Sequence, residues 1–264
     1  VLLHDIVVNE TVSSSGATYE WVPIGASSGT SFMGTFDGNG CTISGLYCNY
    51  ITATGVGLFG TIGASAQINS VNVKNIVLAN SYISGSNGVG GIVGRAIGYG
   101  STISNCVVSE DVMVVKSIDS ATPYTGGIIG NYGGLMNSTL QMYKVCCTVS
   151  NCVNLGTVQI MTFDFTSNLA ANRHNIGSIT GTYATEDNAF EFIDVNNCYY
   201  LSGHMKDKNG NTLKADGTVV NIGKGGGSNR LTSRDCTILS SASDSHTCVS
   251  VEHKEVLANC KYQG

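Results

Sequence analysis

The sequence predicts an all-β fold, a solenoid of stacked β-coils with a small β appendage at its C-terminal end. Three observations lead there. Glycine is abundant, at 34 of 264 residues, and proline nearly absent, at 2. Only 12% of residues are charged, against roughly a quarter in ordinary soluble domains, so Ser, Thr, Asn and Gly must cover the surface. Two short motifs also recur in a fixed order, and an internal repeat outranks every other fold signal.

The first motif is an apolar pair bracketed by glycines. It stands at Val56-Gly57-Leu58-Phe59-Gly60, Val89-Gly90-Gly91-Ile92-Val93-Gly94 and Thr125-Gly126-Gly127-Ile128-Ile129-Gly130, with a degenerate copy at Ile176-Gly177-Ser178-Ile179-Thr180-Gly181. The second is an aliphatic residue, two small polar residues and an apolar one. Its copies are Ile68-Asn69-Ser70-Val71, Ile103-Ser104-Asn105-Cys106, Val149-Ser150-Asn151-Cys152 and Val195-Asn196-Asn197-Cys198, with an earlier version at Ile43-Ser44-Gly45-Leu46. The fourth positions are Leu46, Val71, Cys106, Cys152 and Cys198, at spacings of 25, 35, 46 and 46. Insertions at residues 131–147 and 161–174 lengthen the later repeats.

β-Branched stretches such as Val71-Asn72-Val73 and Val112-Met113-Val114-Val115 read as strands, and the Gly, Asn and Ser between them as turns. One such unit cannot bury its apolar face alone, whereas stacked units bury a continuous core. Leu46, Val71, Cys106, Cys152 and Cys198 are then expected to form one inward column with a rise of about 4.8 Å per step. A β-sandwich is the competing fold, but its turn signals should recur every ~8–12 residues without a long repeat.

The domain reading divides the chain at residue 203. Residues 1–203 form the solenoid, with Val1-Leu2-Leu3 and Ile6-Val7-Val8 as a capping strand or one that adds to a neighbouring subunit's edge. Residues 204–264 are expected to form a hairpin, from the turn dipeptides Asn209-Gly210 and Asp216-Gly217 around Thr212-Leu213 and Val219-Val220. A cysteine-bearing cap follows.

Charge and cysteine usage limit the function. The net charge is −5 with no basic run, which argues against nucleic-acid binding. No apolar run reaches the roughly 18 residues of a membrane span. Ten cysteines at low charge point to a secreted or cell-surface chain, and Val1, not being a starting Met, to a processed form or fragment. Cys41 with Cys48, and Cys146, Cys147, Cys236, Cys248 and Cys260, are the disulfide candidates, while Cys106, Cys152 and Cys198 are expected to pack as buried thiols. No CxxC pair suggests zinc. Asn9 and Asn137 head glycosylation sequons.

Asp37-Gly38-Asn39-Gly40 and the alternating Asp207, Asn209 and Asn211 resemble parts of calcium loops. Neither has the closing carboxylate, so both read as turns, and no metal or cofactor is expected. Histidines 4, 174, 204, 246 and 253 pair with no nucleophile motif. Residues 36–109 contain only Asp37, Lys74 and Arg95 as charges, with Glu110 nearby, too few for a carboxylate pair of the kind that cleaves sugars.

Trp21-Val22-Pro23-Ile24-Gly25, then Phe32-Met33-Gly34-Thr35-Phe36-Asp37-Gly38-Asn39-Gly40 and Ile43-Ser44-Gly45-Leu46, resemble the opening of GLUG-motif repeat proteins. Gly57-Leu58-Phe59-Gly60 looks like the motif that names them, and Asn197-Cys198-Tyr199-Tyr200 resembles the close of such an array. The resemblance spans about residues 19–202. It implies a right-handed parallel β-helix on a secreted or cell-surface protein, of the kind found in adhesins, with no catalytic motif to carry over. The expected role is an extracellular structural or adhesive module, not an enzyme, whose partners are other protein subunits in a filament or larger assembly. The alternative is a carbohydrate-binding or carbohydrate-cleaving β-helix, with Tyr47, Tyr50, Tyr82, Tyr99, Tyr124, Tyr132, Tyr143, Tyr199 and Tyr200 as candidates for stacking on sugars.

Overall fold

A computed structural model describes residues 1–26, 29–117, 124–133, 145–161, 176–181, 192–201, 203–212, 232–234 and 237–239. Each turn of the chain lies directly over the one before it. Strand β1 (Ile6–Val7) precedes a first full rung of β2 (Thr35–Ser44), β3 (Tyr47–Val56) and β4 (Phe59–Ile68). The second rung is β5 (Asn72–Ala79), β6 (Tyr82–Gly90) and β7 (Val93–Tyr99). In the third, corners divide the same faces into β8 (Ser101–Ser104), β9 (Val107–Val108), β10 (Met113–Lys116), β11 (Thr125–Gly126) and β12 (Ile129–Gly133). The fourth contains β13 (Val145–Ser150), β14 (Val153–Asn154), β15 (Thr157–Ile160) and β16 (Ile176–Gly177). The fifth contains β17 (Phe192–Asn196), β18 (Tyr199–Leu201) and β19 (Met205–Lys206), and β20 (Thr232–Arg234) and β21 (Thr237–Leu239) follow.

Equivalent strands pair in parallel from rung to rung, as β2–β5–β8–β13–β17 and β6–β10–β15 do. The chain is a parallel β-helix. Inward positions stack in register: Phe36, Val73, Ile103, Val149 and Val195 form one column, and the last four are buried. Such a column removes apolar surface from water in every rung at once, which no single rung can do.

The corner between β8 and β9 explains the second sequence motif. Asn75, Asn105, Asn151 and Asn197 all have left-handed backbones, with φ of 57°, 54°, 52° and 57°. Asparagine tolerates this conformation better than other side chains with a β-carbon. It also pairs with its own image above: Asn105 Nδ2 donates to Asn75 Oδ1 at 3.0 Å, and Asn197 Nδ2 to Asn151 Oδ1 at 2.8 Å. In the first rung Asp37 takes over, accepting from Asn75 Nδ2 at 2.9 Å.

The two ends differ from expectation in one respect. At the N-terminus, Ile6 and Val7 pair with Ile43 and Ser44, Trp21 N–H donates to Tyr47 O, and Ile24 and Phe32 bridge to Phe59 and Ile62. The described residues before Thr35 thus lie along every face of the first rung. Phe32 and Phe36 close over Phe59 with ring centroids 5.1 and 5.2 Å apart. At the other end the expected appendage is corrected in part. The Asn209-Gly210 turn is present, with Lys206 bridging antiparallel to Thr212, but β19, β20 and β21 pair in parallel with β15, β17 and β18. The solenoid ladders therefore run past residue 203. Asp216-Gly217 and Val219-Val220 lie outside the described residues.

Candidate functional site

The predicted core column holds for its last three members only. Cys106, Cys152 and Cys198 occupy successive rungs, as the flanking pairs Val107–Val153 and Val153–Tyr199 require. Leu46 and Val71 belong elsewhere. Leu46 stands at the next corner, where its N–H donates to Ser81 Oγ, and Val71 directly precedes Asn72, which pairs with Thr102. The true column is Cys41, Ile76, Cys106, Cys152 and Cys198. At Leu46 the pattern of apolar, polar, polar, apolar fits because both corners contain a left-handed residue, whereas residues 68–71, between β4 and β5, match it without one. Gly45 (φ 80°) and Asn80 (φ 42°) serve the second corner as Asn75 and Asn105 serve the first.

Cys41, Cys48, Cys106, Cys146, Cys147, Cys152 and Cys198 are all buried thiols. A Cys41–Cys48 disulfide is therefore corrected: Cys41 pairs with Ile76 on one face and Cys48 with Ile83 on the next, with the Gly45 corner between them. The column thiols have a local role. Cys106, Cys152 and Cys198 each donate to the carbonyl two residues back, at 3.2, 3.3 and 3.3 Å, closing the asparagine turn from inside. Cys236, Cys248 and Cys260 lie outside the described residues, as does the sequon asparagine Asn137.

Asn9 is also corrected as a glycosylation site. It is 5% exposed, and its Nδ2 donates to Tyr19 O at 2.9 Å and Gly45 O at 2.7 Å, so the folded chain leaves no room for a glycan there. Both calcium-like loops are turns. Asp37 Oδ1 accepts from Asn39 N–H and Oδ2 pairs with Lys74 at 3.4 Å. Asp207 Oδ1 accepts from the N–H groups of Asn209 and Asn211, and Oδ2 from Asn211 Nδ2. Among the described residues no His, Cys, Asp or Glu cluster has metal-site geometry. Of the sugar-stacking candidates, Tyr99, Tyr132, Tyr199 and Tyr200 are buried and cannot meet a ligand. Tyr47 and Tyr82 stack on each other at 5.9 Å, Tyr50 and Tyr124 are half-buried, and Tyr143 is outside the described residues.

The glycine-bracketed motif forms a tight corner of the rung. There the end of β6 meets the start of β7 and presses against the rungs on either side. A β-carbon on Gly94 would lie 2.3 Å from Val56 N and 2.5 Å from Gly55 C, and one on Gly130 would lie 2.3 Å from Val89 N. Backbone is packed on backbone, so this position excludes every side chain. The apolar pair between the glycines, Ile92 and Val93, is fully buried.

Beside this corner is a polar hollow of about 120 Å³ lined by Thr54, Asn87, Gly88, Arg95 and Asn131. Thr54 and Asn87 pair across β3 and β6, and Thr61, Arg95 and Asn131 across β4, β7 and β12, so two columns converge from either side of the glycine turn. Arg95 Nε and Asn87 Oδ1 are both buried there with no hydrogen-bond partner among the described residues. Sequence reasoning missed this site. Its only trace was the scarcity of other charges around Arg95.

The GLUG-motif family model matches residues 85–113, which include the Gly90–Gly94 corner and Arg95. The chain carries a GLUG repeat. Halomucin from Haloquadratum walsbyi is 33% identical over 129 residues, 49% of this chain. That stretch is 1% of Halomucin's length, so the chain spans a very small part of that protein. Among solved structures, a candidate immunoglobulin A1 protease from Bacteroides ovatus superposes with a TM-score of 0.50 at 18% identity, covering 84% of this chain and 75% of that one. At that identity the likeness concerns the fold, and it agrees with a parallel β-helix.

Proposed function

We propose that the chain works at the cell surface or beyond it as a structural and adhesive module, one unit of a larger assembly, and that it is not an enzyme. The observation that carries this reading is the ladder itself. Rung interiors are filled by packed side chains such as Leu46, Ile83 and Tyr200, so any working surface is the outer face and its corners. The GLUG repeat and the likeness to a segment of Halomucin support a surface setting. Low charge and hydroxyl- and amide-rich outer faces suit a chain exposed to the medium. The N-terminal turn presents Leu3 (79% exposed), Val7 (55%) and Val22 (66%), an apolar edge that supports association with further protein units.

Protease shaving of intact source cells, followed by mass spectrometry, tests the location. Peptides from the outer corners should be released from intact cells, and recovery only after lysis would overturn the reading. Light scattering of the purified chain, alone and with Val7→Lys, tests association. A monomer at all concentrations would refute self-assembly. The carbohydrate reading keeps one point in its favour, the buried polar atoms of Arg95 and Asn87 that have no partner among the described residues.

A further inference from the structure

We propose that the hollow beside the GLUG corner binds the carboxylate of an acidic sugar, a uronate or a sialate, with Arg95 as its anion contact. The proposal rests on the surface-module reading for its setting and goes beyond it by naming a ligand class.

Three observations converge. First, Arg95 has no internal counter-ion among the described residues. Within residues 38–109 the other charge is Lys74, which is paired with Asp37 at 3.4 Å, and among the described residues no carboxylate lies within ion-pair distance of Arg95. A guanidinium whose Nε is buried without an acceptor carries a desolvation cost that an incoming oxyanion relieves. The planar fork of arginine fits a carboxylate with two parallel hydrogen bonds.

Second, the hollow asks for more than an anion. Asn87 Oδ1 is a buried acceptor without a donor among the described residues, and the Thr54 hydroxyl and Asn131 amide line the same space. A ligand that satisfies both Arg95 and Asn87 presents a carboxylate next to a hydroxyl. Acidic sugars have that arrangement; an Asp or Glu side chain, with its carboxylate on a methylene, does not. A volume of about 120 Å³ admits the acid group and the adjoining carbon, leaving the rest of the sugar at the mouth.

Third, this is the edge where the repeat varies. Gly85, Lys116 and Ile160 lie in one register, and Val89, Thr125 and Ile176 in another. Between them the chain runs through residues 86–88, 117–124 and 161–175 in successive rungs. Insertions in repeat proteins collect on the face that meets a partner.

Isothermal titration calorimetry on the full chain tests the proposal, with trigalacturonate and sialyllactose as acidic probes. Methyl-esterified trigalacturonate and lactose serve as neutral counterparts, and sodium sulfate as a bare anion. At least one acidic probe should bind while its neutral counterpart does not, and Arg95→Gln should weaken binding on the order of tenfold or more, the effect of losing a charged hydrogen bond. Asn131→Asp supplies Arg95 with an internal carboxylate from the neighbouring rung, so it should abolish binding without lowering the melting temperature. Failure of both acidic probes, binding unchanged in either variant, or sulfate binding as tightly as the sugars would each overturn the site. None of these results bears on surface location, which protease shaving reads separately.

Discussion

Replacing Gly94 with alanine tests the physical meaning of the GLUG corner. The new methyl would lie 2.3 Å from Val56 N, 2.5 Å from Gly55 C and 2.8 Å from Gly55 Cα. Unstrained contacts between such atoms need about 3.5 Å, so the first and second rungs must separate by roughly 1 Å here. Their spacing is only about 4.8 Å, and the pairings nearby are short, with Phe59 N–H to Ile92 O at 2.9 Å and Leu58 N–H to Gly91 O at 3.2 Å. Overpacking against rigid backbone costs about 1–3 kcal/mol, and weakening one or two of these hydrogen bonds adds about 1 kcal/mol each. A loss near 3–4 kcal/mol corresponds to a drop of roughly 10 °C in a circular-dichroism melt. Gly34→Ala is the control. Its methyl would meet nothing nearer than Phe32 Cζ at 3.5 Å, an ordinary contact, so its melt should move by no more than about 2 °C. If the two variants melt alike, backbone-on-backbone packing is not what selects glycine at this corner.

The asparagine corner makes a second prediction. Asn75→Ala removes the bonds to Asp37 and from Asn105 and puts alanine into a left-handed backbone, for an expected loss of about 2–3 kcal/mol in urea unfolding. Asn75→Gly keeps the backbone free and should cost about half as much; equal costs would rule out a conformational contribution. A third prediction concerns pH. Burial alone would raise the Asp37 carboxyl, but hydrogen bonds from Asn75 and the Asn39 N–H, together with Lys74, hold it below its usual 3.8. The stabilisation it provides is therefore complete above that value and lost as pH falls through the lower folded value. Asp37→Asn should flatten the acid limb of a stability-against-pH curve, and an unchanged limb would refute the assignment. Fourth, burial pushes the Cys48 and Cys147 thiols well above their ordinary range. Iodoacetamide without reductant should label Cys41, Cys48 and Cys147 only after denaturation, and a Cys41–Cys48 cross-linked peptide would contradict the structure.

The glycine corner was readable in sequence because the packing that excludes a β-carbon leaves glycine on both sides of an apolar pair, as at Gly90 and Gly94. Cys106, Cys152 and Cys198 were readable because each follows its turn asparagine directly, in rungs of equal length. Register failed at Leu46 for a physical reason. Gly45 and Asn75 both turn the chain through a left-handed residue, so a local motif cannot say which corner it occupies. Cys41 and Cys48 looked like a pair in sequence because the corner between them, which turns them onto different faces, is invisible there. The Asn9 sequon carries no sign of the two carbonyls its amide meets. Arg95 was hidden because its neighbours Thr54, Asn87 and Asn131 are scattered over 78 positions of the chain and meet only through the ladder.

The ladder also governs where this chain can change. A strand residue in register with partners above and below cannot gain a neighbour without shifting its whole face, so added length is confined to corners. Residues 161–175 join Ile160 to Ile176, which pair with Lys116 and Thr125 just as Gly85 and Val89 do in the shortest rung. Replacing residues 161–175 with the connection of that rung, Ser86-Asn87-Gly88, should therefore leave the ladder intact. By loop-closure entropy, shortening from 15 residues to 3 should stabilise the chain by about 1.4 kcal/mol, a rise of roughly 3–5 °C in the melt. A fall of several degrees would show that the insertion contributes packing to the solenoid. A rise would instead leave the insertion without a stabilising role, which is the behaviour expected if what it serves lies outside the coil.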